Sequence, residues 1–282
     1  MKIIMSKEDF SMEHPGTPVE FETRYEWLRP GQLIERRNAC PLVIVPVAPL
    51  EYHGPHLPVG CDMINVSEAA HAVCRKLGRG VVRPVLSVGT ERERPPEMVQ
   101  WLGLRSGSYV VGMDFPTRLW NSHYLPEEVF ALALRAELAI LIGQGYRDVF
   151  VASGHGAVNQ KATIDRLCIE LQNTTPAHLD HDLTICREAV ETGLAGHADI
   201  VETSLLIHYR PGSVDLATLP PREVPIRYQD YSVVDGAGFS ASYDSQHVVQ
   251  HDPRDATAAK GRKWFDECVQ EMATRIEQWM AG

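Results

Sequence analysis

The amino-acid sequence predicts an α/β fold: a mainly parallel central sheet with helices on both faces. Residues 42–47, 81–88 and 148–152 are short apolar runs, clearest in Leu42-Val43-Ile44-Val45-Pro46-Val47. A run that is continuous rather than alternating marks a strand buried on both faces. Between and after these runs lie stretches with apolar residues three and four apart, the helical period. Strands alternating with helices imply parallel pairing through crossover connections. In such folds ligands gather beyond the carboxyl ends of the strands, which singles out the loops following each run.

Taken in order, residues 1–23 are polar and proline-bearing, and read as an arm that packs on the body or on a neighbouring subunit; residues 24–282 read as one domain. After the first strand, residues 66–77 keep Ala69, Ala70, Val73, Cys74 and Leu77 on one helical face. Residues 126–142 open with a proline and two glutamates, good first-turn residues, and stop at Gly143. A helix over 158–171 follows the third strand directly, another opens near Gly196–Ser204, and residues 260–280 form an amphipathic C-terminal helix.

Composition narrows the function classes. The chain has 282 residues, 44% hydrophobic and 23% charged, ordinary globular usage that excludes disordered and fibrous architectures. No apolar run approaches the ~20 residues of a membrane helix, and MKIIMSKEDFSMEHPG carries charges and a proline where a signal peptide needs an apolar segment. With 27 basic and 37 acidic residues the formal charge is −10, which argues against a nucleic-acid partner. Six scattered cysteines without a C-x-x-C pair read as reduced thiols, and so as a cytoplasmic protein.

Past the first strand comes Glu51-Tyr52-His53-Gly54-Pro55-His56-Leu57-Pro58-Val59-Gly60-Cys61-Asp62. Glu51 and His53 are one residue apart, so an extended backbone points both the same way. The glycines and prolines that follow make a turn able to return Asp62 beside them. Past the third strand sits Ser153-Gly154-His155-Gly156, and further on Gly196-His197-Ala198-Asp199-Ile200-Val201-Glu202-Thr203-Ser204 opens a helix. Taken singly, a loop histidine is usually solvated, and a first-turn glutamate usually complements the helix dipole. Together the three clusters supply nitrogen and carboxylate donors without a thiolate, a set suited to two zinc or manganese ions.

These motifs resemble those of the creatininase (creatinine amidohydrolase) family. Glu51 to Asp62 is similar to its E-Q-H-G-P-H-L-P-x-G-x-D segment, Ser153 to Asn159 to N-G-H-G-G-N, and His197 to Ser204 to H-A-G-x-x-E-T-S. Asp252 to Gly261 resembles its closing D-P-x-x-A-x-x-x-K-G, so the likeness runs from about Trp27 to the C-terminus. The resemblance implies a three-layer α/β/α domain with two divalent ions at the C-terminal edge of the sheet. One ion takes Glu51, Asp62 and His155; the other takes His53, Asp62 and Glu202, with Asp62 bridging. Creatininase places a glutamate two residues after the N-G-H histidine; here that position is Ala157, which leaves the role to Glu202. His197 matches a histidine assigned to acid–base work, and His56 reads as a loop brace. Tyr52 replaces a usual glutamine and Ser153 an asparagine, and residues 89–101 depart from the family sequence. In that altered region Arg92, Arg94 and Trp101, with Tyr52, are candidates for gripping an oxygen-rich substrate.

The implied activity is hydrolytic ring opening. Two close cations lower the pKa of a shared water and polarise a carbonyl, and His197 protonates the leaving atom. That atom is nitrogen for a cyclic amide or formamide, and carbon for a cyclic diketone such as a keto-inositol. The competing reading is a metal-binding regulatory or assembly protein without turnover. The resemblance also implies a homo-hexamer, to which the arm and the apolar residues of the C-terminal helix (Trp264, Phe265, Ile276, Trp279) are expected to contribute.

Overall fold

The run at residues 42–47 lies at the heart of the sheet, with all six residues buried. A computed structural model describes residues 21–234 and 252–281. The elements run α1 (Pro30–Ala39), β1 (Leu42–Val47), α2 (Cys61–Leu77), β2 (Val81–Val82), α3 (Pro96–Trp101), α4 (Glu127–Gly143), β3 (Asp148–Ser153), α5 (Val158–Thr174), β4 (His178–Leu183), α6 (Arg187–Glu191), α7 (Ile200–Tyr209), α8 (Tyr228–Tyr231) and α9 (Ala258–Ala281). The strands lie in the order β2-β1-β3-β4, and every pairing is parallel.

The two-residue period of a strand sorts its side chains into two cores. Val43, Val45 and Val47 of β1 join Val149 and Val151 of β3 against Phe130, Leu134 and Leu138 of α4 and Ile164 and Leu167 of α5. Leu42 and Ile44 join Phe150 and Ala152 on the other face, against Val66, Ala70 and Val73 of α2 and Met272 and Ile276 of α9. Each fully buried aliphatic side chain contributes ~1.5–3 kcal/mol, so the sheet is held from both sides. This is the three-layer α/β/α arrangement. A separate apolar cluster of Val99, Leu102, Phe115, Ile226 and Val233 packs with Leu57 and Cys61, and so covers the loop that follows β1.

Several expectations are corrected. The strand expected over 81–88 pairs regularly only at Val81–Val82. Arg83 N donates to Ile44 O and Leu86 N to Pro46 O, so three residues of this run span two of β1, around Pro84, which has no N–H. The helix expected to start at residue 66 begins at Cys61, behind a Gly60 N-cap, and ends at Gly78 in the left-handed conformation. The edge strand β4 escaped notice because His178-Leu-Asp-His-Asp-Leu183 is polar; Arg275 of α9 covers its outer carboxylates, 3.0 Å from both Asp180 and Asp182. The C-terminal helix does not present the apolar surface expected of it, because Trp264 and Ile276 are buried within the chain. Most of the expected N-terminal arm, residues 1–20, lies outside the described residues. Its last residues stay on the body, where Thr23 O accepts from Val82 N at 2.8 Å.

Candidate metal centre

β1 and β3 end side by side, with Val47 opposite Ser153. The chain leaving β1 reaches Glu51 within four residues, and the chain leaving β3 reaches His155 within two. Gly154 makes this junction possible: a Cβ there would stand 2.6 Å from Asp62 O and 3.1 Å from Val66 Cβ. The end of β3 therefore presses against the first turn of α2, which brings His155 and Asp62 together. Ser153 steadies the turn, its hydroxyl donating to His155 O at 2.9 Å while accepting from Gln160 Nε2. Gly54, at φ +71°, turns the other loop where a side chain would strike Tyr231 O at 2.8 Å. His56 braces that loop from within, buried and 3.1 Å from Thr203 Oγ1 of α7.

The expected ligand residues converge. His155 Nδ1 lies 2.8 Å from Glu51 Oε2 and 3.3 Å from Asp62 Oδ2. His53 Nε2 lies 3.1 Å from Asp62 Oδ1 and 3.6 Å from Glu202 Oε2. Asp62 thus turns one oxygen to each histidine. Donor atoms of Glu51, Asp62 and His155 fall within 4.8 Å of one another, as do those of His53, Cys61 and Glu202, and of Glu51, His53 and His197. Glu202 stands in the first turn of α7 behind an Asp199 N-cap, whose carboxylate accepts from Val201 N and Glu202 N. Its Oε2 also accepts from Ala198 N at 2.6 Å, where Ala198 holds a positive φ of 54°. A non-glycine residue in that region costs about 1–3 kcal/mol, a strain tolerated where function requires the geometry.

Two tautomers follow from main-chain partners, because a carbonyl can only accept. His53 Nδ1 faces Glu51 O at 3.1 Å, so it carries a proton, and Nε2 is the nitrogen turned toward Asp62 and Glu202. His197 Nε2 faces Tyr52 O at 2.9 Å, leaving Nδ1 bare and 3.6 Å from Glu51 Oε1. Backbone-oriented imidazoles of this kind are the usual form of a metal ligand or proton carrier.

The donor set fits divalent cations. Glu51 Oε2 is buried and makes no regular hydrogen bond, although His155 Nδ1 stands 2.8 Å away. Among the described residues the ion-pair partners of Glu51, Asp62 and Glu202 are histidines alone. Burial lowers the His155 pKa, but the Glu51 carboxylate and then Asp62 more than reverse this, to about 10. Burial and the neighbouring His53 push His197 down to about 3. Burial raises Glu202, opposed by His53. Without cations, then, His155 holds a proton at neutral pH, and a cation must displace it. Cation uptake should release protons, with affinity rising as pH rises through the neutral range. Calorimetry in buffers of different ionisation enthalpy measures this; a heat independent of buffer would show that no proton leaves.

The expected substrate residues fare differently. Tyr52 is buried and serves through its main chain, its N–H donating to Ser122 Oγ and its carbonyl holding His197. Arg92 pairs with Glu127 at 2.8 Å, and Arg94 with Glu91 at 2.6 Å and Gly112 O at 2.9 Å. Trp101 stacks on Tyr228 with ring centroids 6.1 Å apart. Sequence reasoning missed Tyr124, whose hydroxyl donates to Glu51 Oε1 at 2.6 Å, and Cys61 beside His53 and Glu202. Just before Tyr124, Pro116, Arg118, Leu119, Trp120, Asn121 and His123 line an open cavity of about 530 Å³.

The creatininase family model, described as creatinine amidohydrolase, matches residues 28–276. The chain belongs to the creatininase family. It is 29% identical over 203 residues to a 3-dehydro-scyllo-inosose hydrolase from Thermotoga maritima, an alignment covering 68% of this chain and 56% of that protein. It is 27% identical over 255 residues to a mycofactocin precursor peptide peptidase from Mycolicibacterium smegmatis, covering 86% of this chain and 87% of that protein. Solved creatininase structures share the fold: one has a TM-score of 0.64 at 20% identity, over 91% of this chain and 97% of that one. A manganese form has a TM-score of 0.65 at 20% identity, over 91% and 98%. Members of this family are hydrolases, and the buried histidine–carboxylate cluster lies within the matched residues.

Proposed function

We propose that this chain is a two-cation hydrolase that adds water to a carbonyl of a small polar cyclic substrate, breaking a ring C–N or C–C bond. The observation that carries this is the buried junction where Asp62 turns one oxygen to His53 and the other to His155, with Glu51 and Glu202 on either side. Glu51, Asp62 and His155 hold one cation, and His53, Asp62 and Glu202 the other. When bound, zinc or manganese ions supply Lewis acidity and an acidified water. His197 moves the proton. Its Nε2–H is tied to Tyr52 O, so Nδ1 accepts a proton from the attacking water and delivers it to the leaving nitrogen or carbon. Tyr124 holds Glu51 Oε1 and so leaves Oε2 for the cation. Because Arg92 and Arg94 are already paired with Glu127 and Glu91, the reading assigns them no substrate contact.

The two curated relatives bear names of different chemistry, so the test spans both. Metal-reconstituted protein is incubated with lactams, formamides, keto-cyclitols and short peptides, and addition of one water is followed by mass. Turnover of one class identifies the bond. Full cation content with no turnover on any of them would favour the regulatory or assembly reading. His197→Ala should keep the cations and lower kcat by roughly 10²–10⁴. Loss of metal from that variant would mark His197 as a ligand, the alternative its place near Glu51 and His53 keeps open. The reading includes a cytoplasmic homo-hexamer. Its assembly is supported by solvent-facing apolar side chains on α4 and α5, where Leu132, Ile140 and Ile169 are 66%, 56% and 60% exposed; light scattering tests the assembly.

A further inference from the structure

Cys61 is the first residue of α2, fully buried, one position before Asp62. Its sulfur, a His53 nitrogen and a Glu202 oxygen lie within 4.8 Å of one another. We propose that the Cys61 sulfur is a further donor to the cation held by His53 and Glu202, and that it gives this position a preference for zinc over manganese. The proposal rests on the two-cation reading above and deepens it.

Burial and the Glu202, Asp62 and Glu51 carboxylates, opposed by His53, hold the free Cys61 thiol protonated until a cation displaces the proton, so what suits the sulfur as a donor is its geometry. The Tyr209 hydroxyl donates to Asn65 Oδ1, which fixes the amide so that Asn65 Nδ2 points at Cys61 Sγ, 3.5 Å away. Tyr209 closes α7, the helix whose first turn carries Glu202, so one helix supplies both the carboxylate and the brace on the sulfur's amide. Amide N–H groups on sulfur are a standard outer-shell feature of metal–thiolate sites. The start of the 17-residue α2 adds the positive end of its dipole. His53 spends its Nδ1 proton on Glu51 O, so Nε2 is the nitrogen that faces the same space.

Sulfur, imidazole and carboxylate together make a zinc-like set, whereas Glu51, Asp62 and His155 contain no sulfur. The two positions are therefore chemically unlike. On binding, the S–H bond breaks as the sulfur–metal bond forms, and the proton passes to solvent. Among the described residues the other thiol–carboxylate group, Cys186, Glu188 and Glu267, differs because Lys263 already occupies it, 2.6 Å from Glu188.

The test uses the full chain, stripped with a chelator and reloaded with cobalt(II). Wild type should take two ions and show a sulfur-to-cobalt charge-transfer band in the near ultraviolet. Cys61→Ser and Cys61→Ala should lose the band while Cys186→Ser keeps it. In competition titrations Cys61→Ser should weaken zinc at one position by at least roughly 10–100-fold, the loss that even an outer-shell partner costs, and manganese by much less. Two cobalt ions without the band in wild type would overturn the proposal while leaving the two-cation reading intact, whatever the variants do. So would a band or a zinc preference that survives Cys61→Ser. A wild type that takes up no cation would overturn both.

Discussion

Asp62→Ala should strip both cations from the protein and reduce turnover to background. No other side chain in the cluster stands between the two halves in the same way. Its Oδ1 lies 3.1 Å from His53 Nε2 and its Oδ2 lies 3.3 Å from His155 Nδ1. Losing it removes one donor from each cation and also the negative charge that lets two cations sit close together; pairs in such sites are usually about 3.5–4 Å apart. Glu51→Ala, by contrast, should empty one position first, because Glu51 lies 2.8 Å from His155, while of the other position's donors it groups with His53 but not with Glu202. The fold should survive in both variants, since the sheet's two apolar cores do not include these residues. Elemental analysis after gel filtration, with circular dichroism as the control, measures the outcome. Full metal content in Asp62→Ala would refute the bridging role. Loss of a single ion would reassign Asp62 to one half of the site.

What the sequence revealed and what it hid follow from how each feature is built. β1 and β3 were legible because strands buried on both faces are apolar at every position. β4 was not, because an edge strand with its carboxylates held by a distant arginine looks like a polar loop. Along 81–88 the run is buried and strand-paired only at Val81–Val82; beyond them it is partly exposed, and a proline in its middle removes a ladder donor. The cluster residues were visible because Glu51, His53 and Asp62 share one loop, while His155 and Glu202 sit at a strand end and a helix start. Tyr124 carried no such mark: it lies 73 residues from Glu51 in a stretch without periodicity. Cys61 was hidden differently. It was counted among scattered thiols, and its significance comes from Tyr209, 144 residues away from Asn65, turning an amide toward it.

Gly261→Ala should destabilise the whole protein, although Gly261 touches no ligand residue. In α9 this glycine lies against α7 so closely that a Cβ would stand 1.9 Å from Ser204 O and 2.4 Å from its carbonyl carbon. Both obstacles are backbone, so no side chain can swing aside and the helices must separate. Thr257 N, bonded to Ser204 Oγ at 3.2 Å, would be drawn away with them, as would Trp264 and Cys268, which pack with Ile200 and Val201 of α7. Overpacking costs ~1–3 kcal/mol, and more when backbone must move. The better helix propensity of alanine returns about 1 kcal/mol. A net loss of about 2 kcal/mol or more should lower Tm by roughly 4–8 °C. Because Glu202 lies one turn from the crossing, the cation position it shares with His53 should weaken more than the Glu51–His155 position. Gly31→Ala is the control with the opposite sign: that glycine lies in α1 with open space around it, so alanine there should stabilise by up to about 1 kcal/mol. Thermal unfolding of the metal-free proteins separates the packing effect from the ligand effect. An unchanged Tm in Gly261→Ala would mean that α7 and α9 do not cross this closely and that their crossing does not require a glycine.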